Sequence, residues 1–226
     1  MSSGTTSSRD RILGRIKTGT RASERTVADE KILEARIRAP ERHIVPEQFN
    51  LEGKAKLEYF IAKAEGQGTS IARVRTPEDA LAEVRDYLRQ NNLPQRIVAS
   101  PSEALADLGL DDAGDLEVRR GAAVKDDMTS VTPVYRAVAE TGTIVTRSGT
   151  ETPSTLNFVP EYHIAVLREK DLVASYEDSW DAIREKEMPR TVNWISGPSR
   201  SGDIGMTMFM GAHGPRAQHV IIIEDD

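Results

Sequence analysis

Apolar residues recur at helical intervals through the first third of the chain: within Arg11–Ile16, at Val27, Ile32, Leu33 and Ile37, and at Leu57, Phe60, Ile61 and Ala64. Each stripe predicts an amphipathic helix, with Pro40 and Pro46 separating the second from the third. After residue 66 the pattern changes. Ser70–Val74 reads as a strand, Pro77–Gln90 as a helix, Arg96–Ser100 as a strand and Pro101–Leu108 as a short helix. Leu110–Gly121 is acidic and poorly patterned, so it reads as a connection. Val131–Ala139 predicts a helix and Thr143–Thr146 a buried strand. Strands are then expected at His163–Leu167, Leu172–Ala174, Val192–Ser196 and Val220–Ile223, with helices at Tyr176–Lys186 and Ile204–Met210.

Strands alternating with helices in this way predict βαβ units. The expected fold class is therefore α/β, a mainly parallel sheet flanked by helices, with an N-terminal helical arm. The arm is expected over 1–66 and the α/β domain over 67–226. Nothing in the arm converges chemically, so its expected role is packing or the support of a homo-oligomer.

Composition narrows the chemistry. The chain has no cysteine, which excludes disulfides, thiolate nucleophiles and cysteine-held iron–sulfur clusters. Its 36 acidic and 30 basic residues leave a net charge of −6, against nucleic acid as a partner. No apolar run nears the roughly 20 residues of a membrane span, and MSSGTTSSRD lacks the apolar core of a secretory signal. A cytoplasmic location is expected. The histidines show no metal-ligand spacing, so no metal site is expected.

Ligands of open α/β sheets sit beyond the carboxyl ends of strands. Two polar loops follow predicted strands: Arg147–Ser154, which carries Ser148, and Gly197–Asp203. Both are expected to face one cleft. In GPSRSGDIGMTMFMGAHGP, a helix starting in the Ser/Arg/Asp cluster would aim free N–H groups, Ser199 and Arg200 at one anion. Gly197 supplies the turn, and His213 lies in a second glycine turn. The candidate ligand-binding residues are therefore Ser148, Gly197, Ser199, Arg200 and His213. Candidates for catalysis are Glu140 as a carboxylate nucleophile, Asp203 as a base or helix cap, and His213 as an acid–base group near neutral pH.

The runs AETGTIVTRSGTETPSTLNFVPEYHIAVL and ISGPSRSGDIGMTMFMGAHGPRAQHVIII resemble the lactate utilisation protein C family, whose domain is called the LUD domain. SRDRILGRI is similar to the family's first helix. The resemblance implies a fold related to the ribose-5-phosphate isomerase and coenzyme A transferase group. It also implies a subunit that oxidises L-lactate to pyruvate together with iron–sulfur partner subunits, with no cofactor on this chain. The alternative is a free-standing isomerase or acyl/CoA-transferase-like enzyme acting on a phosphorylated or thioester substrate.

Overall fold

The structure is a computed structural model that describes residues 7–20, 26–202 and 208–225. The chain starts with two helices, α1 (Ser8–Gly19) and α2 (Val27–Arg38). Ser7 caps α1 by accepting the Asp10 N–H at 3.2 Å. Thr26 and Asp29 cap α2 reciprocally, so two free donors are satisfied at its first turn. No residue of either helix is buried. Residues 1–44 form one unit and residues 45–226 another.

This division shortens the arm expected to end at residue 66. The third helix, α3 (Gly53–Gly66), belongs to the larger unit and buries Leu57, Phe60 and Ala64 in its core.

The larger unit continues with β1 (Ser70–Val74), α4 (Pro77–Gln90), β2 (Arg96–Ala99), 3-10 turns at Glu103–Leu108 and Leu110–Asp112, β3 (Glu117–Arg120) and β4 (Thr129–Pro133). Then come β5 (Arg136–Val138), β6 (Thr143–Arg147), α5 (Thr155–Phe158), β7 (Tyr162–Arg168) and β8 (Leu172–Val173). The chain ends with α6 (Tyr176–Arg184), β9 (Val192–Ile195), β10 (Arg200–Gly202), β11 (Met208–Met210) and β12 (Ala217–Ile223).

Six strands form a parallel sheet in the order β1-β12-β7-β4-β2-β3. Its inner strands β7 and β12 are near-continuous apolar runs because both of their faces are covered. On one face α4 sets Ala80, Val84 and Leu88 against Ile97, Val131, Ile164 and Ile221. Thr76 caps that helix through the Asp79 N–H at 3.1 Å, and Pro77 occupies its first turn.

The other face is covered by α3 and by a second, four-stranded sheet in the order β8-β5-β6-β9. Ala137, Ile144 and Leu172 of that sheet meet Ala165, Leu167, Val220 and Ile222 of the first. Its outer face carries Val138 and Val145 against Ile183 and Trp180 of α6. The second sheet was not legible in the sequence as a separate layer. The strand expected at Thr143–Thr146 is present and buried, but it pairs antiparallel with β5 and β9 there.

Two predicted helices are corrected. Val131–Ala139 forms β4 and β5, because β-branched Val131 and Thr132 fit a pleated surface and Pro133 closes the first strand. Of the helix expected at Ile204–Met210, residues 208–210 form β11, paired antiparallel with Arg200–Gly202, while residues 204–207 lie outside the described part. The connection expected at Leu110–Gly121 also contains β3.

Two glycines lock α3 against the second sheet. Gly142 has φ +66°, and a Cβ there would stand 2.7 Å from the Lys63 carbonyl carbon. Gly197 has φ +79°, and its Cβ would stand 2.7 Å from the Gln67 carbonyl oxygen. Only glycine meets both demands, a left-handed backbone and a neighbouring main chain in contact. Among the described residues no helix is long and apolar enough to cross a membrane.

Candidate functional site

The parallel sheet reverses its winding between β2 and β4. From β2 the chain moves outward to β3, whereas β4 leads by way of the second sheet to β7 on the other side. Such a switch point leaves a crevice at the carboxyl ends of the two strands. Here a cleft of about 370 Å³ opens at that place, lined by Ser102, Tyr135, Arg136, Arg147, Thr152, Asp171 and Lys186 among others.

Its charge is organised around Tyr135. The cationic groups of Arg136, Arg147 and Lys186 stand 4.7, 4.9 and 5.7 Å from the ring centroid. The ring is fixed because its hydroxyl donates to the Ala182 carbonyl of α6 at 2.7 Å. Arg136 is neutralised by Asp171 at 2.7 Å. Burial raises the Asp171 carboxyl, and the positive charge of Arg136 opposes that rise. Arg147 donates through Nη2 to the Glu187 carbonyl, and its Nε is buried with no acceptor among the described residues. Lys186 forms no ion pair among the described residues. Arg147 and Lys186 are therefore the cations without an ion pair among the described residues of a cleft that Glu151 also lines.

A slot of about 10 Å³ adjoins the cleft and shares Pro133 and Thr152 with it. Ser100, Thr132, Thr146 and Asn157 complete its polar lining. This volume suits a single oxygen-sized group. Asn157 donates to Thr146 Oγ1 at 3.0 Å, as does Asn193 at 3.2 Å, while Asn157 Oδ1 is buried with no partner. Behind the slot, Thr132 Oγ1 lies 2.7 Å from His163 Nε2. Burial depresses the His163 imidazole to about 4, so it is neutral at pH 7.

The expected ligand residues do not gather in this cleft. Ser148 follows the end of β6, where its Oγ accepts the Thr191 N–H at 2.9 Å. Gly197, Ser199 and Arg200 follow the end of β9. Because β6 and β9 are antiparallel, with Arg147 opposite Val192 and Ile144 opposite Ile195, their carboxyl ends point in opposite directions. The five-residue strand β6, roughly 16 Å long, separates the two loops. The single shared cleft is thereby corrected, and so is the helix start that was to aim N–H groups at an anion.

Ser199, Arg200 and His213 do come together, but at the amino edge of the parallel sheet. The Ser199 N–H donates to the Pro215 carbonyl at 2.8 Å, just ahead of β12, and Ser199 Oγ accepts the His213 N–H at 3.3 Å. Arg200 donates to the Gln67 carbonyl, ahead of β1. His213 is exposed. Glu140 lies in the β5–β6 turn and accepts the Tyr176 N–H at 2.8 Å, at the start of α6. Asp203 lies outside the described residues. Tyr135, Arg136, Asn157 and Lys186 went unnoticed in the sequence. Pro133 was the available signal, since a strand ending there would have placed Tyr135 and Arg136 on a carboxyl-end loop.

These features define an α/β protein with a switch-point crevice walled by a second sheet. Residues 129–223 match the LUD domain. It is similar to lactate utilization protein C of Anoxybacillus flavithermus, 35% identical over 88 residues that cover 39% of this chain and 40% of that one. The protein of the same name from Halalkalibacterium halodurans is 36% identical over 93 residues, 39% of this chain and 40% of that one. That from Exiguobacterium is 30% identical over 119 residues, 50% and 51% of the two chains. The matched stretches thus span about 40% to half of these relatives. A solved DUF162 family protein from Deinococcus radiodurans shares the fold, with a TM-score of 0.60 and 22% identity over 76% of this chain and 99% of that one.

Proposed function

We propose that this chain serves a lactate utilisation system as the subunit that holds the organic acid, in the cleft at the carboxyl ends of β2 and β4. The observation that carries this reading is the pair of unneutralised cations, Arg147 and Lys186, on a domain shared with proteins named lactate utilization protein C. The buried, unpaired Nε of Arg147 gains most from a carboxylate, because an unsatisfied buried donor is costly.

Oxidation of L-lactate to pyruvate removes an electron pair and two protons. A chain without cysteine cannot hold iron–sulfur clusters through thiolates, so the electrons pass to clusters on partner subunits. This chain's own part is to bind and orient the acid. Free-standing acyl transfer through Glu140 is disfavoured, because that carboxylate is engaged at the start of α6.

Titration calorimetry with L-lactate on the purified chain tests the reading. Arg147→Ala is expected to weaken binding about tenfold or more, and dye reduction is expected only when iron–sulfur partners are co-expressed. Equal affinity in wild type and Arg147→Ala, or lactate-dependent dye reduction by the chain alone, overturns it.

A further inference from the structure

We infer that the slot beside Asn157 receives the hydroxyl of a 2-hydroxy acid and rejects the carbonyl of the corresponding 2-oxo acid. This rests on the reading that the adjoining cleft holds the acid's carboxylate.

The inference follows from counting donors and acceptors around the slot. Ser100 spends its hydroxyl proton on the Glu151 carbonyl, and Thr152 spends its own on the Arg147 carbonyl at 2.6 Å. Both therefore turn only lone pairs toward other partners. Asn157 is 4% exposed, its amide nitrogen gives one N–H to Thr146, and its Oδ1 has no donor. Thr146 Oγ1 accepts N–H bonds from Asn157 and Asn193, which leaves its proton as the donor it can offer. Ser100, Thr152 and Asn157 thus offer acceptors and Thr146 a donor around a space the size of one oxygen, with Thr132, held to His163 Nε2 at 2.7 Å, also on its border.

A ligand hydroxyl satisfies such a surface. It donates to Asn157 Oδ1 and accepts from Thr146. A carbonyl oxygen has no proton to give, and it would leave Asn157 Oδ1 buried, unpaired and facing another lone pair. Sites built to hydrogen-bond a hydroxyl discriminate strongly against analogues that lack it. The position is also right: the slot shares Pro133 and Thr152 with the cleft, as a hydroxyl on the carbon next to a carboxylate requires. Recognition is thereby divided, with cations for the carboxylate and acceptors for the hydroxyl.

The test is titration calorimetry of the full chain with L-lactate, pyruvate, propionate and 2-methoxypropionate. Lactate is expected to bind at least about tenfold more tightly than the other three, since only it donates a proton at this position. Asn157→Leu, checked for folding by its thermal melt, is expected to bring lactate down to the level of propionate. The ligand series on the wild-type chain decides the matter even if that variant does not fold. Similar affinities for all four acids overturn the inference and leave the carboxylate cleft standing, with the slot holding only a water. Binding of none of them removes both.

Discussion

Glu140 Oε1 lies 2.8 Å from the backbone nitrogen of Tyr176 and accepts the N–H that opens α6. That helix end also has a reciprocal cap between Ser175 and Asp178, so Glu140 supplies an additional acceptor at a crowded terminus. Glu140→Ala should lower unfolding free energy by about 1 kcal/mol, and Glu140→Gln, which keeps an acceptor, should recover most of it. Urea denaturation of the three proteins measures this. A wild-type-like midpoint for Glu140→Ala would release the carboxylate for another role.

The contact between Gly142 and α3 predicts a larger effect. A methyl group there meets the Lys63 carbonyl carbon at 2.7 Å with φ already at +66°, and both objections involve main chain that cannot rotate away. Gly142→Ala should cost more than about 2 kcal/mol. Gly149→Ala provides the control, because its added methyl would come no closer than 3.5 Å to Thr152 Oγ1. It should stay within about 0.5 kcal/mol of wild type. Thermal melts that shifted equally for both would show that the turn and helix are not locked as described.

The sequence made the parallel sheet readable because its strands are short apolar runs bounded by turns and caps, as at Thr76-Pro77-Glu78-Asp79. It concealed the second sheet for a physical reason: Val131, Val134 and Val138 fall three and four residues apart, a helical spacing, although Val131 lies in β4, Val138 in β5 and Val134 in the connection after Pro133. Site geometry suffered from the same error. With β6 assigned to the parallel sheet, Ser148 and Arg200 both follow strands and share an edge. Strand direction, which a single chain's hydropathy does not encode, put them at opposite ends of a ladder. Arg147 and Thr152, by contrast, lay in a loop already marked as polar and strand-following, and the structure places both in the cleft.

Arg200 and Arg147 should respond oppositely to removal. Arg200 is exposed and spends Nη2 on the Gln67 carbonyl at the amino edge of the sheet, far from the switch point. Arg200→Ala should therefore leave lactate affinity unchanged and lower stability by at most about 1 kcal/mol. Arg147→Ala should do the reverse in calorimetry, with a marked loss of affinity. A matching loss for Arg200→Ala would move the acid to the amino edge and restore Ser199 and His213 as its neighbours.

Two buried histidines set the acid limit of stability. Burial holds His163 and His219 near 4, against an ordinary value of 6.5; for His219 a hydrogen bond at Ser70 partly offsets the burial. His219 is stacked on Tyr87 at 4.4 Å, with Ser70 Oγ 2.8 Å from Nδ1 and Glu83 3.2 Å from Nε2. Between these two values the unfolded chain binds more protons than the folded one, so stability rises with pH across that window. It is fully present above about 6.5 and is lost as pH falls toward and through about 4, by about 3 kcal/mol for each histidine. Glu83 works in the opposite sense, because burial and Asp86 raise its carboxyl and favour the folded state at lower pH. Urea midpoints measured from about pH 7 to about pH 4 should fall steeply for wild type and less steeply for His219→Gln. Parallel profiles for the two proteins would mean that His219 takes up its proton without unfolding cost.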